Sequence, residues 1–164
     1  ITATVQALGI RRGLVHAEYL IDERGPMPVD VAARGGGVMI YSTVLPHVSG
    51  VDAMKAAIRL ALGQPVNARP RSDARAANIE FLRVPPGRIE SIQGLEQARA
   101  LSGIAAVHLF HGIGDELRSL LDKEDRLGFV VALTNGVDEA IRLSQQAATS
   151  IRTRVTPAQP DANV

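Results

Sequence analysis

The chain has 164 residues, a formal net charge of +1, 46% hydrophobic residues, 3% aromatic residues and no cysteine. That length and composition allow one medium domain or two small ones with a core of Val, Ile, Leu and Ala. They exclude a disulfide framework, a thiolate metal site and the basic footprint expected for nucleic acid or an anionic membrane.

No apolar run reaches about 18 residues, so no transmembrane helix is expected. With no visible signal peptide, a cytoplasmic location is the expectation. Cations are unevenly chosen, sixteen Arg against Lys55 and Lys123 alone, which leaves few lysines for nucleotide phosphates.

In chain order, residues 2–9 read as a short helix with Val5 and Leu8 on one face. Residues 14–22 and 27–33 read as two strands, with the turn chemistry of "DERGP" between them. Residues 38–45, "VMIYSTVL", are apolar and β-branched but follow three glycines, and read as strand or loop. Residues 49–63 read as an amphipathic helix with Val51, Met54, Ala57, Ile58 and Ala61 as its stripe and Gly63 as its stop.

Residues 64–77 hold two prolines and three arginines and read as a linker or exposed loop. Beyond it come strands at 77–84, 88–92, 104–110 and 125–136, and a short helix at 94–101. An amphipathic helix follows at 137–151, with Val137, Ala140, Ile141, Ser144, Ala148 and Ile151 on one side. "RTRV" reads as a last strand, and the tail lacks any apolar period and reads as disordered. The fold class is α+β in two lobes.

The first strand pair carries the chemistry. Side chains two apart on a strand share a face, so His16 and Glu18 lie together, as do Asp30, Ala32 and Arg34. If the strands pair antiparallel about Arg24, residues whose numbers add to 48 oppose each other, and Glu18 meets Asp30. Their Cβ atoms would then lie roughly 5 Å apart, a destabilising pairing of like charges. A hard divalent cation removes that penalty, since Mg²⁺ takes one or two carboxylates plus substrate phosphates. A one-residue slip would turn one acid to the other face. The same residues also suit a half-buried hairpin with solvent-facing acids.

Arg34 precedes Gly35, Gly36 and Gly37, where the backbone can approach a ligand and a guanidinium can grip a carboxylate or phosphate. The triplet is neither a Walker loop nor a dinucleotide fingerprint. The histidines His16, His47, His108 and His111 do not form a zinc pattern, because a three-residue spacing on a strand sends His108 and His111 to opposite faces. "HGIGDEL" at 111–117 reads as a tight turn. Ser42 and Ser49 lack the base and acid of a hydrolase triad.

Taken together, "LGIRRGLVHAEYLIDERGPMPVDVAARGGG" followed by "LPHVSGVDAMKAAIRLALG" resembles the last third of an ATP-grasp fold. The likeness is to the carboxylate–amine ligase branch that includes L-amino acid ligases, carbamoyl-phosphate synthase and biotin carboxylase. The matching positions are Gly13, His16, Glu18, Asp30, Arg34, Gly36, Gly37, Gly50, Val51, Asp52 and the Ala61 to Gly63 helix end. The similarity continues through "ANIEFLRVPPGRIESIQGLE" and "GDELRSLLDKEDRLGFVVALTNGVDEAI", like the small domain that follows the grasp.

The resemblance implies an antiparallel sheet with helices at 1–66, a linker at 67–77, a small α+β domain at 78–155 and a disordered tail at 156–164. It implies that Glu18 and Asp30 bind Mg²⁺ (or Mn²⁺) bridging the ATP phosphates. It implies that Arg34 stabilises an acyl phosphate, with Gly35, Gly36, Gly37 and His16 lining the phosphate or substrate site. The implied partners are ATP, a small carboxylic acid and an amine, upstream lobes of the same polypeptide, and a second copy in a homodimer. The chain reads as the C-terminal piece of a longer enzyme, inactive alone. It departs from the family pattern at Asp30, usually Glu, and at Ala32, usually Asn. The competing reading is a non-catalytic binding or dimerisation module with a vestigial metal site.

Overall fold

The computed structural model describes residues 2–73, 75–119, 121–122 and 125–157. The chain is mixed α and β, its sheets are antiparallel, and it divides into two compact units, Ile1–Asp73 and Ala74–Val164. The expected disordered tail falls on 158–164, outside the described residues, whereas Thr156 closes the last strand.

The first unit contains α1 (Thr2–Ala7), the two-stranded sheet of β1 (His16–Asp22) and β2 (Gly25–Ala32), a π-helical turn (Ile40–Val44), α2 (Leu45–Ser49) and α3 (Ala53–Ala61). The hairpin tip is a two-residue turn, Glu23 and Arg24. Asp22 closes it by accepting hydrogen bonds from the Arg24 backbone N–H at 2.8 Å and its guanidinium at 2.7 Å. Asp22 is thereby held below the usual carboxylate range, chiefly by the Arg24 side chain.

The stretch read as strand or loop at 38–45 is instead helical. Val38 and Met39 enter it in the left-handed region, with φ 51° and 60°, and the Tyr41 hydroxyl ties it down by donating to the Ala53 carbonyl at 2.9 Å. Tertiary anchoring outweighs β propensity here. The helix expected at 49–63 is broken at Gly50, whose φ of 74° ends α2. Asp52 then caps α3 by accepting from the Lys55 N–H at 2.9 Å. The buried residues of α3 are Ala53 and Ala56, while Met54 and Ile58 of the expected stripe are half exposed. The stretch read as an exposed linker is partly anchored. Arg71 donates from its backbone to Ser49 at 2.7 Å and from its guanidinium to His47 at 3.1 Å, and pairs with Asp73 at 2.8 Å.

Among the described residues the second unit has two three-stranded sheets. One is ordered β3 (Ala76–Leu82), β7 (Gly128–Thr134), β5 (Ile104–Leu109), and the other β6 (Glu116–Leu117), β4 (Gly87–Gln93), β8 (Arg152–Thr156). Two helices accompany them, α4 (Leu95–Arg99) and α5 (Val137–Ser150). The core gathers Leu82, Ile89, Ala98, Leu117, Leu127, Val130 and Ala147.

The expected apolar side of α5 is borne out at Ala140 and Ser144 and not at Val137 and Ile141. Ala140, Ser144 and Ala147 are buried, whereas Val137 and Ile141 are exposed. Small residues at that spacing let the helix lie close on β3, where the Asn78 amide donates to Ser144 Oγ at 2.7 Å. No helix among the described residues is long and apolar enough to cross a membrane.

Candidate functional site

Near the hairpin tip, paired residue numbers add to 47: Asp22 faces Gly25 and Tyr19 faces Pro28. At the base they add to 48: Glu18 faces Asp30, Ala17 faces Val31 and His16 faces Ala32. The change comes from a bulge in which Val29 is the extra residue, opposite the Glu18–Tyr19 step. The register that puts the two acids opposite each other is therefore observed, but by a different route. An unbroken ladder grown from this two-residue tip would pair Glu18 with Val29 and send Asp30 to the other face. The bulge also places Pro28 and Asp30 on opposite faces.

Glu18 and Asp30 are both exposed. His16, two residues from Glu18 on the same face, brings Nε2 within 3.4 Å of Glu18 Oε1. Gly36 backs the imidazole: a Cβ there would lie 3.1 Å from His16 Nδ1 and 3.1 Å from Ile40 Cγ2. Gly35 is tighter still, since its Cβ would lie 2.6 Å from Cγ of Tyr41. Gly37 has open space around it. A side chain at Gly35 would thus collide with the Tyr41 ring, whereas one at Gly36 would need its neighbours to give by a few tenths of an ångström.

Arg34 is not gathered with the acids. Its guanidinium donates to the Gly35 carbonyl at 2.8 Å, and its backbone N–H donates to Ala32 at 2.8 Å. Tyr41, the wall behind Gly35, and Arg12, which shares a cavity with Arg34, were not expected from the sequence. Nothing in the local pattern marks Tyr41. Arg12 stands next to Gly13 in the family-like run, where its charge was legible but not its placement.

Two opposed hard-oxygen donors match the number of protein carboxylates that Mg²⁺ takes when phosphates complete its shell, so the donor set fits that ion. Among the described residues no group of three or more His, Asp or Glu forms a self-sufficient metal cage, and none of the histidines assembles a zinc site.

The chain has the fold of the C-terminal part of an ATP-grasp ligase. Within it, residues 80–156 match the family model for L-amino acid ligase C-terminal domain 2. The crystal structure of the L-amino acid ligase from Bacillus licheniformis superposes with a TM-score of 0.79 at 22% identity, over 94% of this chain and 41% of that one. Phosphoribosylglycinamide synthetase from Anaerococcus prevotii gives 0.77 at 13% identity, over 93% and 39%. The uncharacterized protein y4rH of Sinorhizobium fredii (strain NBRC 101917 / NGR234) is 29% identical over 153 residues, 93% of this chain and 32% of that protein. The chain thus spans about a third of that curated relative.

Proposed function

We propose that this chain is the part of an ATP-dependent carboxylate–amine ligase that carries its metal-binding acids and its anion-binding arginine. The observation that carries the reading is the bulge-set pair of Glu18 and Asp30 on one exposed face. The ATP-grasp fold and the domain match at 80–156 support it.

In this reading Glu18 and Asp30 hold Mg²⁺ or Mn²⁺, which supplies charge neutralisation for the nucleotide phosphates. His16 orients Glu18. Arg34 swings from the Gly35 carbonyl to the reacting carboxylate and offsets charge that builds on its oxygens. A carboxylate oxygen bonds to the γ-phosphorus as ADP leaves. The amine then bonds to the acyl carbon, phosphate departs, and the amine loses a proton. The remaining nucleotide contacts and the amine pocket come from upstream lobes of the same polypeptide, acting in the cytoplasm with a second copy as a homodimer.

The competing reading, a module with a vestigial metal pair, draws on the Arg34 side chain being turned onto its own neighbour. One experiment separates the two. Mn²⁺ titrated in the presence of ADP and followed by electron paramagnetic resonance should bind the wild type at least about tenfold more tightly than Glu18→Gln, because a carboxylate ligand is lost. Equal affinity in the two proteins rejects the ligase assignment of these acids.

A further inference from the structure

At the open end of the hairpin, beyond the His16–Ala32 pair, the flanking segments and one side of α3 border an open, solvent-accessible cavity of about 370 Å³. Its floor is aliphatic: Leu14 from the segment entering β1, and Ala57, Leu60 and Ala61, which lie three and four apart on one side of α3. Two guanidinium groups line it as well, Arg12 and Arg34. Neither has a carboxylate partner among the described residues; Arg34 holds only the Gly35 carbonyl. Among the described residues no acidic side chain lines the cavity.

We propose that this cavity seats the acid substrate, and that the acid is a small monocarboxylate with an aliphatic body and no α-ammonium group: a branched alkanoate or a 2-oxo acid. The proposal rests on the reading of Arg34 given above. The volume lies in the range of small-ligand pockets, whose walls are largely apolar with a few fixed polar groups. Either guanidinium can grip a carboxylate in a fork, and together they make the site strongly favourable to an anion.

The aliphatic floor rewards a hydrocarbon tail and penalises other anions. A second carboxylate would be pressed against Leu14 and Leu60 without a partner, and inorganic phosphate would gain nothing from that wall. An α-ammonium would sit beside two cations with no carboxylate to answer it. The floor alanines leave room that a larger side chain would fill.

The test is titration of 4-methylpentanoate into the ¹⁵N-labelled chain, followed by NMR at the Arg12 and Arg34 side chains and the amides of Ala57 and Ala61. Leucine, succinate and inorganic phosphate are titrated alongside. The expected result is saturable binding of 4-methylpentanoate at least about tenfold tighter than of the other three, rising about fourfold per methylene from propanoate to pentanoate. Arg12→Gln should weaken it about tenfold or more, and Ala57→Leu should abolish it. Arg12→Gln tests the site even if the filled variant fails to fold.

Equal binding of phosphate, equal binding of leucine, absence of a chain-length trend, or no binding at all overturns the proposal. Mn²⁺–ADP binding measured on the same Arg12→Gln protein keeps the two readings apart. If it survives while every acid fails, the cavity assignment is wrong. If acids bind and Glu18→Gln leaves Mn²⁺ affinity unchanged, the ligase reading is wrong instead.

Discussion

Replacing Asp30 by Asn should make the chain more stable without metal and less stable with it. Glu18 and Asp30 face each other across the ladder, and the Glu18 side chain is 59% exposed. Two unit charges about 6 Å apart in a water-like dielectric repel by about 0.7 kcal/mol. Screening over a Debye length of about 8 Å roughly halves that.

Removing one charge should therefore stabilise the chelator-treated protein by about 0.3–0.7 kcal/mol, or about 1–2 °C in Tm for a chain of this size. Mn²⁺ at ten times its Kd should stabilise the wild type by about 1.4 kcal/mol, about 3–6 °C, with little effect on the variant. Thermal melts in chelator and in Mn²⁺ should then rank the two proteins in opposite orders. The variant ahead in both conditions would show that the carboxylates share no cation, and the wild type ahead in both would show that they do not repel.

The three glycines after Arg34 should respond differently to alanine. Gly35→Ala forces a methyl into the Tyr41 ring and should cost about 1–3 kcal/mol. Gly36→Ala should cost less but displace His16, visible as a shifted imidazole resonance, and Gly37→Ala should leave denaturant midpoints unchanged because its surroundings are open. The Asp22 turn predicts a pH dependence. Its folded pKa is lowered, so its contribution is present above the unfolded value of about 3.9 and is lost as pH falls through the folded value. Acid titration followed by NMR of the hairpin amides should show the tip loosening in that window, and Asp22→Asn should remove the step.

Much of the hairpin was legible because its signals are local. Alternation placed His16 and Glu18 on one face, and the family-like spacing marked Asp30 as the partner acid. The route to that pairing was not legible. A turn centred on Arg24 and a turn at Glu23–Arg24 followed by a bulge give the same opposition at Glu18, and no residue type distinguishes them. The segment at 38–45 misled because its β-branched side chains favour a strand, while the Tyr41 hydrogen bond to Ala53 comes from a distant contact. Helix faces were misread on α3 and α5 for one reason. Large apolar residues were assumed to face inward; Ala140 and Ser144 of the expected side are buried, but close packing there admits Ala53, Ala56 and Ala147 in place of Met54, Ile58, Val137 and Ile141.

The bulge at Val29 has a further meaning for how such a site can change. It separates the hairpin into a tip and a base that keep independent counts. A two-residue tip can be exchanged for another of the same length without moving Glu18 or Asp30. A tip longer by one residue can be reconciled at the bulge, by loss of Val29 or gain of a second extra residue, before the count reaches the acids. The bulge thus works as a slip joint: a change of length at the exposed end of the hairpin can be absorbed there while the two carboxylates stay opposed.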